Sequence, residues 1–218
     1  MDAESAFNAA RRSMGPESAL NRVKSLHFEG YVVAEDSGSR AKLEIVFAKP
    51  HLSWMKVSRE NIVENMVANK FEGFMRKHDL SNGDTKTSVL PARVASRMNN
   101  LAWMNLHFFA HPQKRFGKAK SQGFVKVDGR LCHKVRLQFP SDLWTDLYFD
   151  KESGSPLASQ DDNGLRRVLS GQIVSGGIRF PKEITIFEPG KETRRLVFEK
   201  IAVNQAVDPR IFEFPTDS

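Results

Sequence analysis

Residues 43–54, Leu43-Glu44-Ile45-Val46-Phe47-Ala48-Lys49-Pro50-His51-Leu52-Ser53-Trp54, contain a strand pattern that ends at a stiff corner. Leu43, Ile45 and Phe47 are spaced two residues apart, so they share one face of a strand. Pro50 has no amide hydrogen and a restricted φ, and it therefore ends this strand. The apolar alternation resumes after the corner, which predicts a second amphipathic strand.

The same pattern of short amphipathic strands and turns recurs along most of the chain. Ten or more such strands, joined mostly by hairpins, predict a mainly β (α+β) fold: a curved antiparallel half-open β-barrel. The inner, concave face of such a sheet is apolar and has to be covered by something. The main turn signals are Asp36-Ser37-Gly38-Ser39, Ser81-Asn82-Gly83-Asp84, Asp128-Gly129, Asp162-Asn163-Gly164 and Pro189-Gly190.

Two segments have helical patterns. Residues 3–22 predict an N-terminal helix that Gly15-Pro16 interrupts. Residues 89–110 predict a mid-chain helix that is apolar almost all round its second half, which is unusual for a surface helix. Such a helix is suited to lie over the concave face as a lid. Its main apolar stripe consists of Val94, Met98, Leu101, Met104 and Phe108.

Composition narrows the functional classes. The chain has 218 residues, a formal net charge of +7 and 40% hydrophobic residues, and no linker separates two cores, so we expect a single domain over residues 1–218. A basic surface attracts phosphates. However, the aromatic residues are mostly phenylalanine: the chain has sixteen Phe, two Tyr and three Trp. Such a composition is more typical of an apolar interior than of exposed aromatic side chains that stack on bases. We therefore expect no nucleic-acid partner and, since no run of about 18 apolar residues occurs, peripheral membrane contact at most.

Catalytic motifs are not found in the sequence. It contains no GxSxG elbow, Walker loop, GxGxxG or HExxH motif. Cys132 is the only cysteine, so no internal disulfide can form, and a buried position in a strand is its simplest assignment. We expect a protein that is not an enzyme and has no cofactor and no metal.

Three stretches give the chain a resemblance to the LolA/LolB-type lipoprotein carriers of Gram-negative bacteria. Residues 23–31 (VKSLHFEGY) resemble the first strand of that family, and residues 45–54 (IVFAKPHLSW) resemble its strand, basic residue–Pro corner and following aromatic strand. Residues 207–215 (VDPRIFEFP) resemble its terminal strand. The order and spacing of these elements match over nearly the whole chain.

The resemblance implies a periplasmic, non-catalytic protein whose half-open barrel and helical lid enclose an apolar cavity for acyl chains. A signal peptide is then expected to be missing from this sequence. On this basis the ligand-binding (cavity) candidates are Leu43, Ile45, Phe47 and Trp54. The lid candidates are Met98, Leu101, Met104 and Phe108. Carriers have an Arg before the corner Pro that helps to hold the lid closed, and Lys49 takes that place here as the rim or latch candidate.

The expected function is therefore that of a lipid or lipoprotein carrier for outer-membrane lipoprotein sorting. Its ligands are expected to be the acyl chains of lipids or lipoproteins, and the protein is expected to be a monomer. An alternative is an envelope sensor or protein-interaction module of the same fold that transports no ligand. Its partners are then other envelope proteins. A cavity filled by the chain's own side chains would favour this alternative.

Overall fold

The computed structural model describes residues 2–69, 72–111 and 118–214. Within these residues the α-helices are α1 (Ala3–Met14), α2 (Glu17–Asn21) and α3 (Ala92–His107), and short 3-10 helices form at Pro140–Asp142 and Pro209–Phe212. The first eight strands are β1 (Ser25–Ala34), β2 (Arg40–Ala48), β3 (Leu52–Arg59), β4 (Ile62–Asn69), β5 (Glu72–Asp79), β6 (Thr85–Val89), β7 (Lys118–Val127) and β8 (Arg130–Gln138). The remaining strands are β9 (Trp144–Asp150), β10 (Pro156–Asp161), β11 (Arg166–Ser170), β12 (Ile173–Ser175), β13 (Ile178–Phe180), β14 (Glu183–Phe187) and β15 (Arg194–Val203).

Thirteen strands pair in the order β6-β5-β4-β3-β2-β1-β15-β14-β11-β10-β9-β8-β7, and β12 and β13 form a separate hairpin. Sequential strands pair antiparallel through hairpins from β1 to β6 and from β7 to β11. The sheet is not closed, because β6 and β7 are the two ends of this order. The mainly β, antiparallel fold with an N-terminal helix and a mid-chain helix is confirmed.

The chain divides into two compact units. Unit 1 consists of Met1–Arg22, Ala34–Ser37 and Phe108–Leu196, and unit 2 of Val23–Val33, Gly38–His107 and Val197–Ser218. Unit 1 thus holds α1, α2 and strands β7 to β14, whereas unit 2 holds α3, strands β2 to β6, most of β1 and most of β15.

Helix α1 supplies part of the unit 1 core. Its N-terminus is capped by Asp2, whose side chain accepts a hydrogen bond from the Ser5 amide at 2.8 Å. The Phe7 ring stacks on the Phe109 ring at a centroid distance of 5.6 Å and meets the edge of the Phe149 ring at 5.9 Å. These aromatic contacts fix α1 against β9.

Three local predictions are corrected. The terminal stretch that resembles a strand instead forms the 3-10 helix Pro209–Phe212, because the Asp208 side chain caps the Arg210 amide and Pro209 suits a first helical position. Its last residue, Pro215, lies outside the described residues. The sequence pattern predicts one strand over residues 165–176 and one over 179–188, but each range forms two short strands, divided around Gly171 and around Pro181. The sequence also gave no indication of β6.

The close approach of the β1 and β15 backbones depends on the absence of a side chain at Gly30. A Cβ atom at this position would overlap the carbonyl oxygen of Val197 and lie 2.9 Å from the Cα atom of Phe198. Both atoms belong to the backbone, so they cannot move aside without displacing the strand. We expect Gly30→Ala to lower the free energy of unfolding by about 3 kcal/mol, the upper end of the cost of overpacking, measured by urea denaturation.

Gly38→Asn is the control for that substitution. Gly38 lies in a turn at φ 65° with no atom within 4 Å of an added Cβ, and Asn adopts this conformation readily. Its free energy of unfolding should stay within about 1 kcal/mol of the unmodified protein. Equal stability of the two variants would contradict the close approach at Gly30.

Candidate functional site

One face of the unit 2 sheet carries three methionines side by side. Met55 of β3 lies opposite Met66 of β4, and Met66 lies opposite Met75 of β5. Ile45 of β2 extends this line because it pairs with Met55. Opposite residues of antiparallel strands point to the same face with Cβ atoms about 5 Å apart. All four residues are half-buried, so Met55, Met66 and Met75, here called the methionine row, form a partly exposed apolar strip.

A fully buried row lies beside the methionine row on the same face. Phe47, Ser53, Ala68 and Gly73 follow one another in register across β2 to β5, and all four are buried. A Cβ atom at Gly73 would lie 3.1 Å from the Cβ atom of Ala95 in α3. Helix α3 therefore packs on this row, and the face that carries both rows is the helix-covered face of unit 2.

The buried residues of α3 combine small, polar and large apolar side chains. The buried positions follow helical spacing, which identifies one stripe that faces the strands. The small side chains let the helix approach the sheet closely. This stripe consists of Ala95, Asn99, Ala102, Trp103 and Leu106, and the remaining buried residue of α3, Asn100, lies beside it.

On its other side, the methionine row borders charged residues. Val57, Glu64 and Lys77 are paired in register two residues further along β3, β4 and β5. The Lys77 ammonium lies 3.6 Å from a Glu64 carboxylate oxygen, and both side chains are about half exposed. On β4 and β5 the helix-covered face therefore changes from buried, through half-buried and apolar, to charged within three rows, whereas on β2 the third row is the buried Leu43.

The four cavity candidates do not share one face. Leu43, Ile45 and Phe47 lie on the helix-covered face, as their spacing predicts, and Leu43 and Phe47 are buried there. Trp54 pairs with Val46 and therefore points to the opposite face. There it packs in a cluster with Val46, Val67, Phe74 and the C-terminal Phe212.

The lid candidates are also divided. Met98, Leu101 and Met104 are half-buried on α3 and lie outside the stripe that contacts the sheet. Phe108 follows the end of α3 with a φ of 49° and is 1% exposed. It belongs to unit 1, where its ring lies 6.2 Å from the Phe180 ring. Ligand contact by these residues stays a prediction.

An arginine contact just after α3 comes from a residue that the sequence did not indicate. Arg11 of α1 is 5% exposed and donates a hydrogen bond of 2.9 Å to the carbonyl oxygen of Phe108. Its guanidinium also pairs with Glu17 at 2.6 Å and donates to Asn21. Arg11 follows Phe7 by one helical turn, which is the only sequence signal for its burial.

Lys49, the predicted latch, is half-buried at the β2–β3 corner. Burial lowers the pKa of the Lys49 ammonium from its ordinary value. Its backbone amide donates to the carbonyl oxygen of Lys24 at 2.9 Å, which holds the corner against the start of β1. The latch role of Lys49 stays a prediction.

The described residues include neither a membrane-spanning helix nor a metal cluster. No helix there has the length and apolar character needed to cross a bilayer. No three His, Cys, Asp or Glu side chains in that part of the chain are grouped so that they could hold a metal ion.

Comparison of the fold with solved structures finds LolA-like proteins. A DUF1329 family protein from Desulfovibrio piger matches with a TM-score of 0.64 at 10% identity over 97% of each chain. A putative outer membrane lipoprotein-sorting protein domain from Vibrio parahaemolyticus matches with a TM-score of 0.62 at 8% identity, over 96% of this chain and 97% of that one. A LolA superfamily protein from Nitrosomonas europaea matches with a TM-score of 0.61 at 10% identity over 98% of each chain.

These similarities show that the chain has the LolA-like fold, as the resemblance predicts. The sequence itself matches no family model, and it matches no curated protein sequence.

The Arg11 contact can be tested by substitution. Arg11→Met keeps much of the side-chain volume but leaves the buried carbonyl of Phe108 without this donor. We expect the free energy of unfolding to fall by about 2 kcal/mol, measured by urea denaturation. Arg12→Met is the matched control, because Arg12 is the exposed neighbour on the same helix, and its change should stay within about 0.5 kcal/mol. Similar losses in the two variants would contradict a specific role of Arg11.

Proposed function

We propose that this protein binds the acyl chains of lipids or lipoproteins along the methionine row of unit 2. The observation that carries this proposal is the half-buried position of Met55, Met66 and Met75 beside α3. Folded cores bury such side chains fully, whereas a strip in contact with a removable apolar ligand has to stay accessible.

Methionine suits a surface that accepts flexible chains. Its unbranched thioether side chain has several rotatable bonds and adapts to irregular apolar partners. Removing each CH₂ group of a ligand from water contributes roughly 0.8 kcal/mol. Ile45 continues the same strip into β2, and the half-buried Met98 lies on α3 next to the stripe that contacts the sheet. These side chains offer acyl groups a surface of matching chemistry.

The neighbouring rows favour one orientation of the ligand. The buried row beneath α3 closes the strip on one side, and the charged pair Glu64–Lys77 borders it on the other. A polar headgroup is therefore best placed toward Glu64 and Lys77, with its hydrocarbon along the methionines. Lys49 is retained as a rim candidate, since its partly buried ammonium could meet a headgroup or a carbonyl of the lid.

The similar structures support this proposal at the level of the fold. One of them is described as a putative outer membrane lipoprotein-sorting domain and another as a LolA superfamily protein. By analogy we propose a periplasmic, non-catalytic carrier that takes part in lipoprotein transport. Fold similarity alone does not assign a ligand, so the proposal depends on the methionine row and its test.

The test replaces the centre of the row. Met66→Asp places a charge on the strip, and the matched control Asn65→Asp places the same charge on the opposite face of the same strand. We expect native mass spectrometry with fluorescent-palmitate titration to show that Met66→Asp weakens binding at least about tenfold, or 1.4 kcal/mol. The control should bind as the unmodified protein does.

Two outcomes would contradict the proposal. Equal palmitate binding by Met66→Asp and Asn65→Asp would exclude the methionine row as the site. A protein that carries no co-purifying lipid and takes up neither palmitate nor a lipopeptide would exclude lipid binding and leave the interaction module of the same fold. Met66→Leu, which keeps the strip apolar, separates loss of the thioether from loss of apolar surface.

The lid role of α3 is a separate prediction. Leu101 and Met104 lie off the stripe that contacts the sheet, so charges there need not disturb the packing of α3. The double variant Leu101→Asp/Met104→Asp is expected to lose palmitate uptake while its far-ultraviolet circular dichroism spectrum stays unchanged. Unaltered uptake with an unaltered spectrum would rule out contact between these residues and the ligand.

A further inference from the structure

The positive charge of the chain is concentrated in one stretch of its sequence. Residues 85–127 contain eight of the 33 Lys and Arg residues and none of the 26 Asp and Glu residues, which leaves 25 basic and 26 acidic residues elsewhere. This stretch ends with β7, whose sequence KAKSQGFVKV has three lysines, all exposed. Strand β7 also ends the strand order of the sheet, so no strand of the described residues lies beyond it. A surface built on β7 is therefore expected to attract anions.

Two exposed apolar side chains lie together on the hairpin of β7 and β8. Phe124 pairs with His133, and Lys126 pairs with Leu131, so these four side chains point to one face. Phe124 is 46% exposed and Leu131 is 40% exposed. The Phe124 ring lies against the His133 ring at a centroid distance of 5.1 Å, which fixes one side of the ring while nearly half of the residue stays accessible.

An irregularity in the strand pairing places Phe124 on this face. Ser121 pairs with Val135 and Phe124 pairs with His133, so β7 has one residue more than β8 between the two pairs. Because side chains alternate between faces, regular pairing would direct Phe124 away from Leu131. Such bulges redirect single side chains and are frequent next to functional sites.

Cations border the two apolar side chains. Lys126 is exposed opposite Leu131, and the Lys151 ammonium lies 5.4 Å from the centre of the Phe124 ring. The Lys151 amide donates to the Leu131 carbonyl oxygen at 3.0 Å, so the backbone holds this lysine beside the hairpin. Arg12 of α1 lines a cavity together with Phe124 and Lys151. We call Phe124, Leu131, Lys126 and Lys151 the hairpin patch.

The acidic side chains near the hairpin patch are largely paired already. Asp128, in the turn of the hairpin, accepts two hydrogen bonds from the Arg166 guanidinium at 2.9 and 3.1 Å. Asp150 is buried, and its carboxylate lies 3.1 Å from the Arg130 guanidinium. Glu152 is the exposed acid that lines the same cavity as the cations. The surroundings of the patch therefore keep a net positive charge.

This combination favours a lipid bilayer over a protein as the partner. The cores of protein interfaces are depleted of lysine, whereas the hairpin patch has lysines directly beside its apolar residues. An isologous contact between two copies would bring these like charges together. Lysines on an edge strand also oppose strand pairing, but that role requires no exposed Phe and Leu. At an anionic bilayer, apolar side chains enter the interface while lysine ammonium groups stay among the headgroups.

We propose that the hairpin patch docks the protein on the surface of an anionic phospholipid bilayer. Phe124 and Leu131 enter the interface, and Lys126 and Lys151 meet the lipid phosphates. The other exposed lysines of β7 add long-range attraction. The proposal does not rest on the acyl-chain site proposed for unit 2, and neither requires the other.

The experiment measures co-sedimentation of the full chain with vesicles of equimolar phosphatidylcholine and phosphatidylglycerol, and with vesicles of phosphatidylcholine alone. We expect saturable binding to the anionic vesicles and at least about tenfold weaker binding to the neutral ones, since each basic residue near an anionic surface contributes roughly fivefold. Raising the salt from about 0.1 M to about 1 M shortens the screening length from ~10 Å to ~3 Å. Binding to the anionic vesicles should fall over this range.

A charge-reversal variant tests the lysines of the patch. Lys126→Glu/Lys151→Glu should weaken binding to the anionic vesicles by at least about twentyfold, because two attractive contacts are lost and two repulsive ones are introduced. The matched control Lys24→Glu/Lys42→Glu makes the same change of net charge on exposed lysines of unit 2. It should bind nearly as the unmodified protein does.

An apolar variant tests insertion into the interface. Phe124→Ser/Leu131→Ser should weaken binding at least about tenfold, because two apolar side chains no longer leave water on docking. The matched control Leu80→Ser/Val174→Ser removes apolar side chains that are 56% and 60% exposed elsewhere, and it should bind normally. Circular dichroism shows whether each variant is folded. The lysine variant changes only exposed side chains, so it tests the proposal even where the apolar variant does not fold.

The proposal would be overturned if the unmodified protein did not bind the anionic vesicles, bound neutral vesicles equally well, or lost as much binding in a control as in its matched variant. A dimer in solution that Phe124→Ser/Leu131→Ser converts to a monomer would also overturn it and assign the patch to a second copy of the chain. Palmitate uptake by the patch variants should be unchanged, and Met66→Asp should still bind vesicles. Failure of one proposal is therefore distinguishable from failure of the other.

Discussion

The register between β2 and β3 determines which side chains of unit 2 can act together. The corner at residues 49–51 pairs Ala48 with Leu52, and every later pairing in the hairpin follows from that one. Because side chains alternate between faces, a shift of one residue would exchange the two faces completely. The methionine row, the buried row beneath α3 and the charged pair Glu64–Lys77 all depend on this register, as does the packing of the C-terminal segment against the other face.

Much of the fold was predictable because its signals are local. Period-2 alternation and hairpin turns indicated a succession of short antiparallel strands, and Gly15-Pro16 correctly separated α1 from α2. The failures are also local in origin. Residues 207–215, with their alternating apolar positions, resembled a terminal strand, but Asp208 and Pro209 favour a 3-10 turn. Capping by one side chain outweighed apolar periodicity there.

The candidate site was less predictable because its arrangement depends on pairings between strands. The spacing of Leu43, Ile45 and Phe47 was enough to assign them to one face. Trp54 was grouped with them although the length of the corner reverses its direction. The buried stripe of α3 mixes alanines and an asparagine with Trp103 and Leu106, whereas the uniformly large apolar stripe that the sequence suggests lies on another side of the helix. Arg11 has only its helical spacing from Phe7 as a local signal, because the Phe108 carbonyl that it contacts lies 97 residues away in the sequence.

Exposure of the methionine row has a chemical consequence for the protein. The single thiol, at Cys132, is fully buried, and burial raises its pKa, so the reactive thiolate is disfavoured. Met55, Met66 and Met75, by contrast, are only half-buried. Oxidants therefore reach the thioethers first, and conversion to sulfoxides makes an apolar strip polar without breaking the backbone. Sulfoxides can be reduced enzymatically, so damage to this strip is repairable in a way that damage to a buried core is not.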